Sequence, residues 1–302
     1  MVNFVKFVPV ILFSITELFQ CSGKVTLTGE GTEESPYLIS SAEEFAAIED
    51  TYDAQTFKYY KLVSDIEITN SKHTINRIYG CLDGDNHTIV IKTLKYRNEK
   101  YQASPYGQTS FGLIRGASNP TIKNITFDMD VTTTPDDIGY IKDKPIFRGG
   151  VFGKISNGTF ENVTTKGTFS YKDNGYTTAY VGGLCGELDI SRDGVAFKNC
   201  NFGMNVSCHT YGNVAGGIAG FMDHKLGTIQ NYTVDLVGCL GTGNISTKAT
   251  ITGISCSIGG GFFGGINCDS LSTAVNNVGS VFSGNITALR KGSIYGGKYG
   301  GI

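Results

Sequence analysis

The chain has 302 residues, 25 Lys plus Arg against 27 Asp plus Glu, a formal net charge of −2, and no tryptophan. A near-neutral balance without a basic stripe lacks the electrostatic footprint of a nucleic-acid binder, so no nucleic-acid partner is expected. With 41 glycines, helical solenoids and bundles are excluded as well, because glycine in a helix interior is destabilising.

Residues 1–23 carry Lys6, an apolar run from Phe7 to Phe13, and the small residues Cys21, Ser22 and Gly23. This is the pattern of a secretory signal peptide cleaved after Gly23. The alternative is a first strand of the domain, and Leu18-Phe19-Gln20-Cys21 loosely matches a lipidation box in which Gln20 fits poorly. No later stretch reaches the roughly 18 apolar residues of a membrane span, so no transmembrane span is expected.

Residues 24–110 form an amino-terminal cap and first coils. Ser41-Ala42-Glu43-Glu44 is a capping-box pattern followed by Phe45, Ala46 and Ile48. It predicts one short helix that covers an exposed strand edge. Tyr60, Leu62, Ser64, Ile66 and Ile68 alternate as a strand, and Asp83-Gly84-Asp85 turns the chain into Thr88–Ile91. Asp83, Asp85 and Asn86 bring three oxygen ligands together, but the rest of a calcium loop is missing. A plain turn is the expectation there, and no metal site is assigned.

Residues 111–302 repeat. Gly149-Gly150-Val151-Phe152-Gly153 recurs as Gly182-Gly183-Leu184-Cys185-Gly186, Gly216-Gly217-Ile218-Ala219-Gly220 and Gly260-Gly261-Phe262-Phe263-Gly264. Degenerate copies are Phe111-Gly112-Leu113-Ile114 and Gly296-Gly297-Lys298-Tyr299-Gly300. From Gly150 through Gly183, Gly217, Gly261 and Gly297 the steps are 33, 34, 44 and 36 residues, a period of stacked supersecondary units. A second pattern, hydrophobic-x-Asn-hydrophobic, follows each block and places Asn124, Asn162, Asn199, Asn231 and Asn277 at one repeat position.

Apolar residues then alternate, as in Ile125, Phe127, Met129 and Val131. Period two means strands. Asparagine suits a bend because it tolerates left-handed backbone, and glycine suits a corner where the chain turns or backbones approach closely. The fold expected is an all-β, right-handed parallel β-helix with a short amino-terminal capping helix. Ile125, Val163, Cys200, Tyr232 and Val278 should line one interior column, and Cys185 should stack with Phe152, Ala219 and Phe263. The polar stretches Lys95–Thr109 and Thr132–Lys144, the second holding the acidic pair Asp136-Asp137, emerge as loops, where recognition concentrates. The chain stops at Gly300-Gly301-Ile302 inside a new block, which predicts either a truncated repeat array or an end covered by another chain.

These glycine blocks resemble the GLUG-motif proteins, whose repeat occurs in bacterial surface proteins and immunoglobulin A1 proteases. The likeness extends to Gly31-Thr32-Glu33-Glu34-Ser35-Pro36-Tyr37-Leu38-Ile39-Ser40, Tyr60-Lys61-Leu62-Val63-Ser64-Asp65-Ile66 and Leu82-Asp83-Gly84-Asp85-Asn86-His87-Thr88-Ile89, and so spans roughly residues 24 to 302. It implies a β-helix working outside the cell, as an adhesin or as a stalk beside a catalytic domain.

Catalytic signals are thin. The glycine blocks are not followed by helices, so a dinucleotide fingerprint does not apply, and no cofactor is expected. Gly-x-Ser-x-Gly and His-Glu-x-x-His are absent, so protease activity does not carry over. His73, His87, His209 and His224 lack metal-ligand spacing, and surface or turn roles are expected. Eight asparagines lie in Asn-x-Ser/Thr sequons: Asn86, Asn124, Asn157, Asn162, Asn205, Asn231, Asn244 and Asn285. They are glycan acceptors in a eukaryotic secretory route.

Cleavage after Gly23 leaves seven cysteines, an odd count that argues against a complete disulfide framework. Cys200 with Cys208 and Cys256 with Cys268 are the local bridges the spacing allows, while Cys185 and Cys200 read better as interior fillers. The functional expectation is a secreted or cell-surface, non-catalytic scaffold for adhesion or for an extracellular protein or glycan ligand. The alternative is a carbohydrate-active β-helix enzyme using Asp136 and Asp137, or a stalk fragment of a larger surface enzyme.

Overall fold

The computed structural model describes residues 24–94, 109–134, 145–173, 178–190, 194–224, 232–249, 257–268, 273–289 and 298–300. It is nearly all β, 62% strand, wound into a parallel β-solenoid. Among the described residues there are one long sheet of 16 strands and two of 6 strands. From Ser110 onward each coil adds a rung to all three sheets: Thr121–Thr133 pairs with Gly158–Lys172, and Gly158–Lys172 with Val195–Lys198 and Asn205–Thr210.

The predicted helix is Ala42–Thr51, with Phe45 and Ile48 fully buried. Ser41 Oγ accepts from the Glu44 amide at 3.2 Å as a capping box requires, but the returning Glu44 carboxylate binds the amide and hydroxyl of Ser40, both at 2.6 Å. Asp83–Asn86 is the expected turn into Thr88–Ile91, with left-handed backbone at Asp85 and Asn86.

The asparagine bend is real for three coils. Asn124, Asn162 and Asn199 hold φ of 52°, 54° and 52°. Their residue-to-residue twist interrupts the in-out alternation, so Phe160 and Val163, three apart, both face the core while Glu161 and Asn162 face out. In the next two coils the bend belongs to Gly238 and Gly279, with φ of 62° and 68°. Register explains the displacement: Lys198 pairs with Val237 and Val237 with Val278. The interior column is therefore Ile125, Val163, Cys200, Cys239 and Ser280, and not the predicted one through Tyr232 and Val278. Tyr232 pairs with Thr273, and Val278 is 62% exposed. Asn277 serves instead as a local brace, its side chain binding the Ser280 amide and carbonyl at 3.0 and 3.2 Å. Asn231 lies outside the described residues.

The glycine blocks form the second corner, and each glycine has its own reason. A Cβ on Gly149, Gly182, Gly216 or Gly260 would lie 1.7 to 2.3 Å from the carbonyl oxygen three residues on. On Gly150, Gly183 or Gly217 it would lie 2.4 to 2.6 Å from the carbonyl of the next coil's second glycine. On Gly186 or Gly220 it would strike the backbone of the preceding coil at 2.4 Å. None of these has positive φ, so close backbone approach decides them all. The register also corrects the final copy: Gly260 pairs with Gly300, so the last block begins at Gly300 and not at Gly296.

The core is the stack of inward rows. Phe152, Cys185, Ala219 and Phe263 align in one column as predicted, and register adds Ile114 to it. Phe160 and Phe197 stack at 5.0 Å between centroids, and edge contacts run on through Phe202, Phe262 and Phe282. Each such buried ring contributes roughly 1.5–3 kcal/mol relative to exposure. Cys200 and Cys208 are both free and buried, so the predicted bridge is absent: Cys208 pairs with Tyr171 and Thr247, a different column from that of Cys200. Cys256 and the side chain of Cys268 lie outside the described residues.

Candidate ligand-binding face

The second segment of the long sheet presents an outer face whose residues are fixed by the period-two alternation. Phe169, Tyr171, Val206, Cys208, Ile245, Thr247 and Ala249 are buried beneath it. The residues between them point out, and parallel register gathers like with like. Asp130, Thr168, Asn205, Asn244 and Asn285 form one row; Thr132, the largely covered Ser170, Ser207, Ser246 and Thr287 a second; Lys172, His209, Lys248 and Leu289 a third.

The amide row is a bonded ladder. Asn244 donates from its backbone and side-chain nitrogens to Asn205 Oδ1 at 3.0 and 2.9 Å, and Asn285 repeats both bonds to Asn244 Oδ1 at 3.1 and 3.0 Å. In the hydroxyl row, Ser207 Oγ donates to Ser170 Oγ at 2.7 Å. Such bonds hold neighbouring side chains in one orientation, so the face is preorganised. In the third row the His209 pKa is lowered from its ordinary value, first by desolvation and then by Lys172 and Lys248 on either side. Sequence reasoning missed this face, although a signal existed: Asn205, Asn244 and Asn285 all read Asn-apolar-Ser/Thr at the repeat spacing.

The sequon asparagines divide accordingly. Asn205, Asn244 and Asn285 build this ladder, and Asn124 and Asn162 build another at the bend, where Asn162 donates to Asn124 Oδ1 at 2.9 Å and Asn124 to Asp83 Oδ1 at 3.2 Å. Asn157 is buried at a corner of its own with φ 59°. Asn86 is exposed in the turn, and Asn231 lies outside the described residues.

Other clusters close on themselves. Asp83 and Asp85 each meet a lysine, Lys123 at 3.3 Å and Lys61 at 3.0 Å. Lys154, buried at the glycine corner, lies 2.7 Å from Glu187 and 2.9 Å from Asp189 of the next coil. Burial there would lower the lysine pKa, but the two carboxylates outweigh it and hold it raised. Arg148 sits between the Phe111 and Tyr171 rings, 4.8 and 4.4 Å from their centroids. Burial pushes the Tyr171 phenol up.

The histidines are dispersed. His73 is 6% exposed, buried rather than at the surface, with Nε2 3.2 Å from Glu43 in a cleft of about 320 Å³ under the helix. His87 meets Asp65 at 3.2 Å, His209 lies in the outer row, and the His224 side chain is outside the described residues. Among the described residues no three His, Cys, Asp or Glu side chains could share a metal ion. Asp136 and Asp137 lie outside the described residues. No described helix is long and apolar enough to cross a membrane.

One further feature of the outer face stands out. The row Lys61, Asp83, Lys123, Glu161 and Lys198 alternates in charge, then becomes apolar at Val237 and Val278. Leu240 and Val281, also exposed and paired, complete a small apolar patch beside them.

No protein-family model matches the chain. A halomucin from Haloquadratum walsbyi is 29% identical over 181 residues, a stretch that spans 54% of this chain and 2% of the halomucin. The crystal structure of a candidate immunoglobulin A1 protease from Bacteroides ovatus superposes with a TM-score of 0.52 at 21% identity, over 90% of this chain and 76% of that one. At that identity the structural likeness concerns the fold alone.

Proposed function

We propose that this chain is a GLUG-type, secreted or cell-surface β-solenoid that works as a non-catalytic scaffold, binding an extended extracellular ligand along the outer face of its long sheet. The observation that carries this is the in-register repetition of amide and hydroxyl side chains through successive coils, flanked by Lys172, His209 and Lys248. A face built on one spacing suits a partner with its own repeat along the same axis, and a linear glycan has one. Likeness to a protein named as a mucin supports a surface setting, and the solenoid frame supports a role in presentation.

The test is an array of glycans and extracellular proteins probed with the full chain. Binding to linear polysaccharides that is lost when Ser207→Arg and Asn244→Arg obstruct the face supports the proposal. Cleavage of a polysaccharide by the purified chain would overturn the non-catalytic part, and binding indifferent to both substitutions would overturn the placement.

A further inference from the structure

Resting on that reading, we infer that the face formed by Lys172, His209 and Lys248 with the neighbouring hydroxyl and amide rows binds a linear acidic polysaccharide carrying a carboxylate on alternate sugars. Three observations lead there. The first is charge: Thr168, Asn205 and Asn244, Ser170, Ser207 and Ser246, and Lys172, His209 and Lys248 make a block of nine positions without a carboxylate. The carboxylate nearest in register is Asp130, on the rung beside Thr168, so the block is bounded by an acidic group on that side and keeps its lysines at the opposite edge of the strands.

The second is spacing. Adjacent parallel strands lie about 4.8 Å apart, close to the rise of one sugar in an extended β-linked chain. Lys172 and Lys248 stand two rungs apart with His209 between them, which matches a disaccharide repeat with one anion per repeat. The third is polarity: Lys172 and Lys248 are exposed and reach a carboxylate as flexible point charges, while the serine and asparagine rows offer hydroxyl and amide partners to the uncharged ring positions.

His209 gives the site a pH dependence. The charged groups facing it are Lys172 on the strand Gly158–Lys172 and Lys248 on the strand Ile245–Ala249; its own strand, Asn205–Thr210, adds none. In the free protein partial burial, and then these lysines, disfavour its charged form. A bound polyanion reverses that balance, so binding takes up a proton and strengthens as pH falls toward 5.5.

The experiment is calorimetric titration of the full chain with hyaluronan oligosaccharides, which carry a carboxylate on alternate sugars, at pH 7.5 and 5.5. Chondroitin sulfate is the sulfated comparison and a neutral β-linked glucan the uncharged one. Expected is binding to hyaluronan several-fold tighter at pH 5.5, weakened at least ten-fold in the double variant Lys172→Gln, Lys248→Gln, with the pH effect abolished in His209→Gln. Circular dichroism confirms that the variants fold, since all three side chains lie outside the core. Equal affinity for the neutral glucan, binding of chondroitin sulfate alone, or hyaluronan binding unchanged in the double variant would overturn the inference. In the first two cases the scaffold proposal survives with another ligand; silence toward every glycan and protein on the array removes both.

Discussion

Asn162 donates its side-chain amide across one rung to Asn124 Oδ1 at 2.9 Å, and both residues hold left-handed backbone, φ 54° and 52°. One residue type thus meets two demands, tolerating the bend and tying consecutive coils together. Alanine meets neither. Asn162→Ala is expected to destabilise by about 2 kcal/mol, from left-handed strain and one lost hydrogen bond. Asn162→Gly, which relieves the strain, recovers about half. Urea unfolding of the two variants checks this, and equal midpoints would show that the bend carries no backbone strain.

Close approach and backbone conformation separate at two glycines. A Cβ on Gly182 would lie 1.9 Å from the Cys185 carbonyl oxygen and 2.6 Å from the Gly220 nitrogen, both backbone atoms that cannot rotate away. Gly279, at φ 68°, would meet nothing within 4 Å. Gly182→Ala is expected to cost about 3 kcal/mol or more, whereas Gly279→Ala pays only for its φ, about 1–2 kcal/mol. Comparable losses in thermal melts would contradict this ranking.

The ion cluster at Lys154 predicts asymmetric mutational effects. Lys154→Met leaves Glu187 and Asp189 buried without their cation and is expected to cost about 3–5 kcal/mol, while replacing all three by apolar residues of similar volume is near neutral. The pH dependence follows from the raised lysine pKa. Stability from this cluster is fully present below the ordinary lysine value of 10.5 and is lost as pH rises through the higher folded value. Chemical denaturation from pH 8 to 12 should show the wild type losing stability at the alkaline end, with a smaller loss in the apolar triple variant, in which only the buried phenols, thiols and other lysines still titrate.

Cysteine reactivity should follow position in the stack. Burial raises the thiols of Cys185 and Cys208. Cys239 stacks on Cys200, and the hydrogen bond between the two thiols lowers the pKa of Cys239 and raises that of Cys200. Slow alkylation of the native protein, mapped by mass spectrometry, is expected to mark Cys239 before Cys185 and Cys208. A Cys200–Cys208 disulfide peptide in a non-reducing digest would refute the column assignment.

The repeat, the strands and the glycine corner were legible because they rest on local chemistry: period-two alternation, and glycine where a Cβ has no room. The capping helix was legible for the same reason, down to the Ser41 cap. Asn124, Asn162 and Asn199 were found at the bend, yet the same motif misled at Asn277, because glycine solves a left-handed position as well as asparagine does. Gly238 and Gly279 occupy it without leaving the amide signature.

Sequence alone determined that successive coils would stack, since no coil can bury its apolar residues by itself. Only the tertiary structure decided which residue lies over which, because register between parallel strands is set by hydrogen bonds that insertions of varying length do not reveal. That register placed Cys239 over Cys200, and it assembled Asn205, Ser207 and His209 with their counterparts into one face, a surface that exists only when coils far apart in the chain come to lie one strand spacing apart.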